Sequence, residues 1–154
     1  MYWSSSDFTM EQKRTLKDKI FEGDISDKGS NVQKVLEWSL PDPQLKARLW
    51  AEITDQNSTD SLIETRLKIE GFWRKSQLDL IVPYIEKYYA IIEEIVDKRD
   101  RNSAEVFINQ LSPAFMARDQ DEAAFKALLS KRTDEAHFFN RFLKKAVENI
   151  SIMK

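Results

Sequence analysis

From Leu78 to Ile95, apolar residues return at steps of three and four: Leu78, Ile81, Ile85, Tyr88, Ile92 and Ile95. That spacing draws one stripe along a helix, whereas a half-buried strand would alternate with a period of two. A stripe of this kind is stable only when buried against other apolar faces. Pro83 lies inside it. Proline removes a backbone hydrogen bond and crowds the preceding turn, so the helix is expected to kink or break at Val82-Pro83. The rest of the chain agrees with a helical reading. Three glycines and four prolines among 154 residues leave few turn formers, and the abundance of Leu, Ile, Glu and Lys favours helices over strands.

Seven further segments show the same organisation. Thr9 and Gln12 form a capping-box pattern ahead of Met10, Leu16 and Ile20, in a helix expected to reach about Glu22 and to stop at Gly23-Asp24. A second helix starts at Ser26 or Asp27, carries Gly29 in its first turn, and sets Val32, Val35, Leu36 and Ser39 on one face. In Pro41-Asp42-Pro43, Asp42 can cap free backbone donors while Pro43 opens the helix without losing a needed N–H. Leu45, Leu49, Trp50 and Ile53 follow. After the polar run from Thr54 to Thr59, the residues Leu62, Ile63, Leu67 and Ile69 lead to Gly71-Phe72-Trp73.

In the last third, Asn102 or Ser103 caps a helix with Val106, Phe107 and Leu111 that ends near Ser112-Pro113. Asp119 caps one with Ala124, Phe125 and Leu128, and Thr133 opens the final one with Phe139, Leu143, Ala146 and Ile150. The expectation is an all-α fold of about eight helices in antiparallel pairs. Helix spacing, without any strict internal repeat, points to a HEAT/armadillo-like right-handed stack. Residues 1–8 read as an N-terminal tail and 9–154 as a single helical domain.

Composition excludes several functions. Twenty-four basic against twenty-six acidic residues, with no long basic run, gives a nucleic-acid partner no support. No apolar run approaches the ~20 residues that span a bilayer, so no membrane partner is expected. The start, Met1-Tyr2-Trp3-Ser4-Ser5-Ser6, lacks the charged and apolar regions of a signal peptide. The absence of cysteine removes disulfides and thiolate metal sites and fits a reducing compartment, which points to the cytoplasm.

Candidate chemistry is sparse. His137 is the sole histidine, too few for a zinc site, and a structural or surface role is expected. Asp119-Gln120-Asp121-Glu122 lacks the turn glycine and distal glutamate of a calcium loop, and reads as an acidic helix start. Glu93, Glu94 and Asp97 read as a solvated helix face. No nucleophile motif, Walker loop or dinucleotide fingerprint occurs, so no catalytic residue, metal ligand or cofactor is expected on this chain. Trp50, Phe72, Trp73, Tyr84 and Tyr88 could line a ligand groove, but at helical spacing they read as core near the junction of the middle helix pairs. Arg66, Arg74 and Arg141 are the candidate peptide-facing residues, because an arginine fork suits a peptide carboxylate. The alternative for each is a surface or helix-to-helix salt-bridge role.

One ordered series carries more. Asp24, Ser26-Asp27 and Gly29 are followed by Ser39-Leu40-Pro41, Lys46 and Trp50, then by Gly71-Phe72-Trp73, Gln77, Leu80, Pro83-Tyr84 and Tyr88-Tyr89, with Asn149-Ile150 near the end. This series resembles the C-terminal helical domain of aminopeptidase N-type zinc aminopeptidases, the gluzincin family. The resemblance implies a non-catalytic part of a larger peptide hydrolase, curving over a catalytic domain to wall the peptide chamber. Zinc, its ligands and the general-base glutamate would lie upstream, in the parent's catalytic domain. The implied partners are that catalytic domain and peptide substrates. The alternative is a freestanding helical-repeat module that binds a protein partner.

Overall fold

The computed structural model describes residues 8–22, 26–116, 118–132 and 137–153. Among these residues there are nine α-helices and no strand, so the fold is all-α. In chain order the helices are α1 (Met10–Ile20), α2 (Asp27–Trp38), α3 (Pro43–Thr54), α4 (Leu62–Phe72), α5 (Leu78–Ile81), α6 (Pro83–Lys98), α7 (Arg101–Gln110), α8 (Asp119–Ser130) and α9 (Phe138–Met153). Short 3₁₀ turns precede α5 (Lys75–Gln77) and α8 (Pro113–Met116). The helix beyond the expected eight comes from Pro83, which breaks the long stripe into α5 and α6 around Val82. Of the expected tail only Phe8 is described. The stop at Gly23-Asp24 and the start at Thr133 lie outside the described residues.

Most helix starts follow from their capping residues. The Thr9 hydroxyl accepts from the Gln12 N–H at 3.2 Å, and the Gln12 side chain accepts from the Thr9 N–H at 2.8 Å. Ser26 accepts from the Gly29 N–H at 3.0 Å, which settles the start of α2. Asp42 accepts from Gln44 and Leu45, with Pro43 opening α3. Two starts differ from expectation. Asp100, not Asn102 or Ser103, caps α7: it stands just before Arg101, the first helical residue, where its carboxylate accepts from both of those N–H groups. Asp119 lies inside the first turn of α8, and Arg118 holds the cap position through its backbone.

The chain divides into two compact units, Met1–Glu86 and Lys87–Lys154, with the boundary inside α6. In the first unit, Lys34 on α2 pairs with Glu64 on α4, and Trp38 meets Gly71 further along both helices, so α2 and α4 run in the same direction. Helix α3 runs against them, as its early Lys46 reaches Gly71 and its late Glu52 reaches Lys68. The core holds Val35, Leu49, Trp50, Ile53, Ile69 and Phe72.

Two expected stripes do not face inward. Leu16 and Ile20 on α1 are exposed, because the inward positions belong to Met10, Lys13 and Lys17, whose methylene stems cover the interior. On α4, Leu62 and Ile63 are exposed and Leu67 is half-buried, while Lys68, Ile69 and Phe72 turn inward. In the second unit, Phe125 on α8 meets Phe142 on α9, and Arg132 lies over Phe139, so these two helices are antiparallel. Its core holds Tyr88, Ile92, Ile95, Phe107, Phe125, Phe139, Leu143 and Ile150.

Candidate functional site

The Gly-Phe-Trp block folds into an interlock of three helix ends. The Asp42-Pro43 start fixes the first turn of α3, and that turn points Lys46 inward until it has no exposed surface. Its Nζ donates to the Trp38 carbonyl at 3.1 Å and to the Gly71 carbonyl at 2.8 Å, at the C-terminal ends of α2 and α4. The Gln77 amide donates to the Ser39 carbonyl at 2.7 Å. Ser39 N–H and hydroxyl serve the Leu36 carbonyl, and Leu40 N–H serves that of Glu37. The orphan acceptors that end any helix are thus all used at the end of α2.

Gly71 permits the approach. A Cβ there would lie 2.4 Å from the Trp38 Cβ and 3.0 Å from its carbonyl carbon, positions that no rotamer change can clear. Burial, and then the nearby Arg74 charge, lower the Lys46 amine to about 7. The two helix C-termini act in the opposite sense, since their partial negative charge favours an ammonium. Sealed from solvent, the amine serves as a fastener.

The five aromatics do not form one group. Trp50, Phe72 and Tyr84 have ring centroids 5.2–5.7 Å apart, and Trp73 joins edge-on to Phe72 at 5.3 Å. Trp50 and Phe72 are buried, whereas Trp73 and Tyr84 are half-buried. Tyr88 belongs to the second unit, stacked on Phe107 at 5.7 Å with its hydroxyl donating to the Ile108 carbonyl at 3.1 Å. Just over one turn of α6 separates Tyr84 from Tyr88, yet the unit boundary falls between them.

The candidate arginines also part. Arg66 is exposed on α4, and Arg141 is exposed in the first turn of α9, in the second unit. Arg74 lies just past α4 in extended backbone, half-buried, and lines a groove of about 470 Å³ between α2 and α4. Val32, Val35, Leu36 and Leu67 form its apolar floor, with Lys28 and Glu70 beside them. A larger cavity of about 750 Å³ lies among α1, α2 and α3, where Trp38 and Leu45 sit beside Arg14 and Arg48. The Lys17–Glu37 ion pair crosses it.

The acidic groups are held by cations. Asp121 has no exposed surface and accepts two hydrogen bonds from Arg118 at 2.6 Å and one from the Tyr89 hydroxyl at 3.0 Å. Burial, and then the Asp121 charge, push the Tyr89 phenol far above its ordinary range. Lys68 pairs with Asp60 at 2.6 Å and Glu52 at 2.8 Å. Burial draws this amine down, but the two carboxylates outweigh it and raise it. Glu94 pairs with Lys98, Glu93 with Lys131, and Asp97 with Arg132.

His137 Nδ1 accepts from the Phe139 N–H at 3.3 Å, and its ring rests on Phe138, so it fastens the start of α9. Among the described residues no group of three or more His, Cys, Asp or Glu is placed to hold a metal ion. No described helix is long and apolar enough to cross a membrane.

The sequence carries a signal for the burial of Lys46 and Asp121. Lys46 is in phase with Leu49, Trp50 and Ile53, and Asp121 is in phase with Phe125 and Leu128. A charge on an apolar stripe marks a buried, partnered group. No protein-family model and no curated protein matches this chain.

Proposed function

We propose that this chain is the helical C-terminal domain of a zinc aminopeptidase, a wall of the peptide chamber whose catalytic domain is supplied by the same parent enzyme. The reading includes a HEAT-like stacking of its helices and a cytoplasmic setting. It rests on the ordered series Lys46, Trp50, Gly71-Phe72-Trp73, Gln77 and Pro83-Tyr84. One observation supports it above the others: Lys46, Gly71 and Gln77 all meet the C-terminal end of α2 at Trp38-Ser39. Residues interlocked in this way have their types and spacings fixed together, which is what a family pattern requires. In the proposed enzyme this domain supplies no reacting group. It limits access to short, unfolded peptides and excludes water while the upstream zinc site removes N-terminal residues.

The test has two stages. The open reading frame should place a His-Glu-x-x-His segment upstream of this chain. The chain alone should then cleave no aminoacyl reporter, and adding it to the upstream catalytic fragment should change the length preference for peptides. A reading frame without that segment, or a fragment indifferent to the added chain, removes the proposal. The freestanding interaction module then becomes the better reading, and the α2–α4 groove is the observation that favours it.

A further inference from the structure

We propose that the groove between α2 and α4 docks a short apolar peptide segment carrying one carboxylate, and that this carboxylate pairs with Arg74. The floor is the first reason. Val32 is 42% exposed although it lies on the α2 face that carries the buried Val35, and Leu36 and Leu67 are only half-buried beside it. From Lys28 to Leu36 the groove follows nine residues of α2, eight rises or about 12 Å, roughly two helical turns.

Charge is the second reason, and it selects the occupant. Elsewhere in this unit Lys17, Lys34, Arg48 and Lys68 each meet a carboxylate. Arg74 and Lys28, the two cations of the groove, have no ion pair among the described residues. The Arg74 Nε is buried without a hydrogen-bond partner, a costly state for a donor, and because it is sealed an incoming carboxylate meets the terminal nitrogens of the guanidinium instead. Glu70, four residues earlier, does not relieve it. Helix α4 ends at Phe72, and Arg74 sits in extended backbone outside the geometry of helical i,i+4 pairs. Glu70 also limits the occupant to a single carboxylate, because a second would meet a like charge. A planar guanidinium receives one carboxylate through two parallel hydrogen bonds.

This inference needs no zinc, no catalytic domain and no aminopeptidase. It is tested on the full chain alone, with a fluorescein-labelled heptapeptide of leucine and alanine ending in one glutamate, and its glutamine counterpart. Anisotropy should show the glutamate peptide binding about tenfold more tightly, as expected for a charge-assisted pair. The preference should vanish in Arg74→Gln and survive in part in Arg74→Lys, both variants keeping the helical circular-dichroism spectrum of the native chain. Val32→Asp should weaken both peptides. In a ¹⁵N-labelled chain, amide shifts should move at Val32, Leu36, Leu67 and Arg74. Equal affinities, no binding, a preference that survives Arg74→Gln, or shifts elsewhere would each overturn the proposal. So would sedimentation showing a dimer that buries Val32, since the occupant would then be a second copy.

Discussion

The two units close their interiors by different means. In residues 1–86 three lysines, Lys13, Lys46 and Lys68, are buried together with Ser39 and Gln77. In residues 87–154 no described lysine is buried, and the interior is a run of rings from Phe107 through Tyr88, Tyr89, Phe125 and Phe142 to Phe139. The one buried ion among its described residues, Asp121, accepts from Arg118 and from the Tyr89 hydroxyl. The first unit therefore depends on directional bonds to helix ends, which fix register and tolerate little change. The second depends on apolar area and ring packing, which are larger in total and less particular in geometry. Helical periodicity is common to both and does not distinguish them.

The largest effect should come from the second unit. Phe107 has no exposed surface and stacks on Tyr88. Phe107→Ala should cost about 3–5 kcal/mol through lost burial and the cavity left behind, read by urea denaturation and by faster amide exchange in α7–α9. A smaller loss would mean that this unit collapses around gaps and is less ring-dependent than its contacts imply.

Next is Lys46→Met, which keeps the stem and removes the donor. Two buried helix-end carbonyls lose their partner at ~1–3 kcal/mol each, partly offset because a buried amine is also removed. We expect a net loss of about 2 kcal/mol at pH 8. The pH profile separates the terms. Between about pH 7 and pH 10 the unfolded chain holds a proton on Lys46 that the folded chain has released. Stability of the native sequence should therefore rise with pH across that window, by at most ~1.4 kcal/mol per unit. Lys68, Tyr88 and Tyr89 are all raised and act only once pH passes their unfolded values near 10. Lys46→Met should flatten the slope, and a slope that persists would show that Lys46 is charged throughout.

The smallest expected effect is Gly71→Ala. Alanine gains ~1 kcal/mol of helix propensity, against ~1–3 kcal/mol for the overpacked contact with Trp38. Because the obstructing atoms are Cβ and backbone, the contact should win, leaving a net loss of up to about 2 kcal/mol in thermal melts. A gain in stability would mean that α2 and α4 slide apart at no cost, and the directional character of the first unit would be overstated.

The helices were legible because their signals are local. The Thr9–Gln12 box, the Ser26 and Asp42 caps and the break at Pro83 need only neighbouring residues. The stripes of α1 and α4 were misread for a different reason. Leu16, Ile20, Leu62 and Ile63 are apolar at helical spacing, but the inward faces carry Lys13 and Lys68, whose long stems pack while their ends find partners. The arginines were legible as types and illegible as places. Only the end of α4 at Phe72 decides that Arg74 leaves the helix and enters the groove.

Lys46 also makes the opening of its unit measurable as a rate. Acylating reagents attack only an unprotonated amine they can reach. The folded Lys46 meets the first condition near pH 7 and fails the second. Once exposed, it regains an ordinary lysine's proton affinity and reacts as one. With brief openings, its labelling rate divided by that of an exposed lysine such as Lys145 equals the fraction of time the three helix ends are apart.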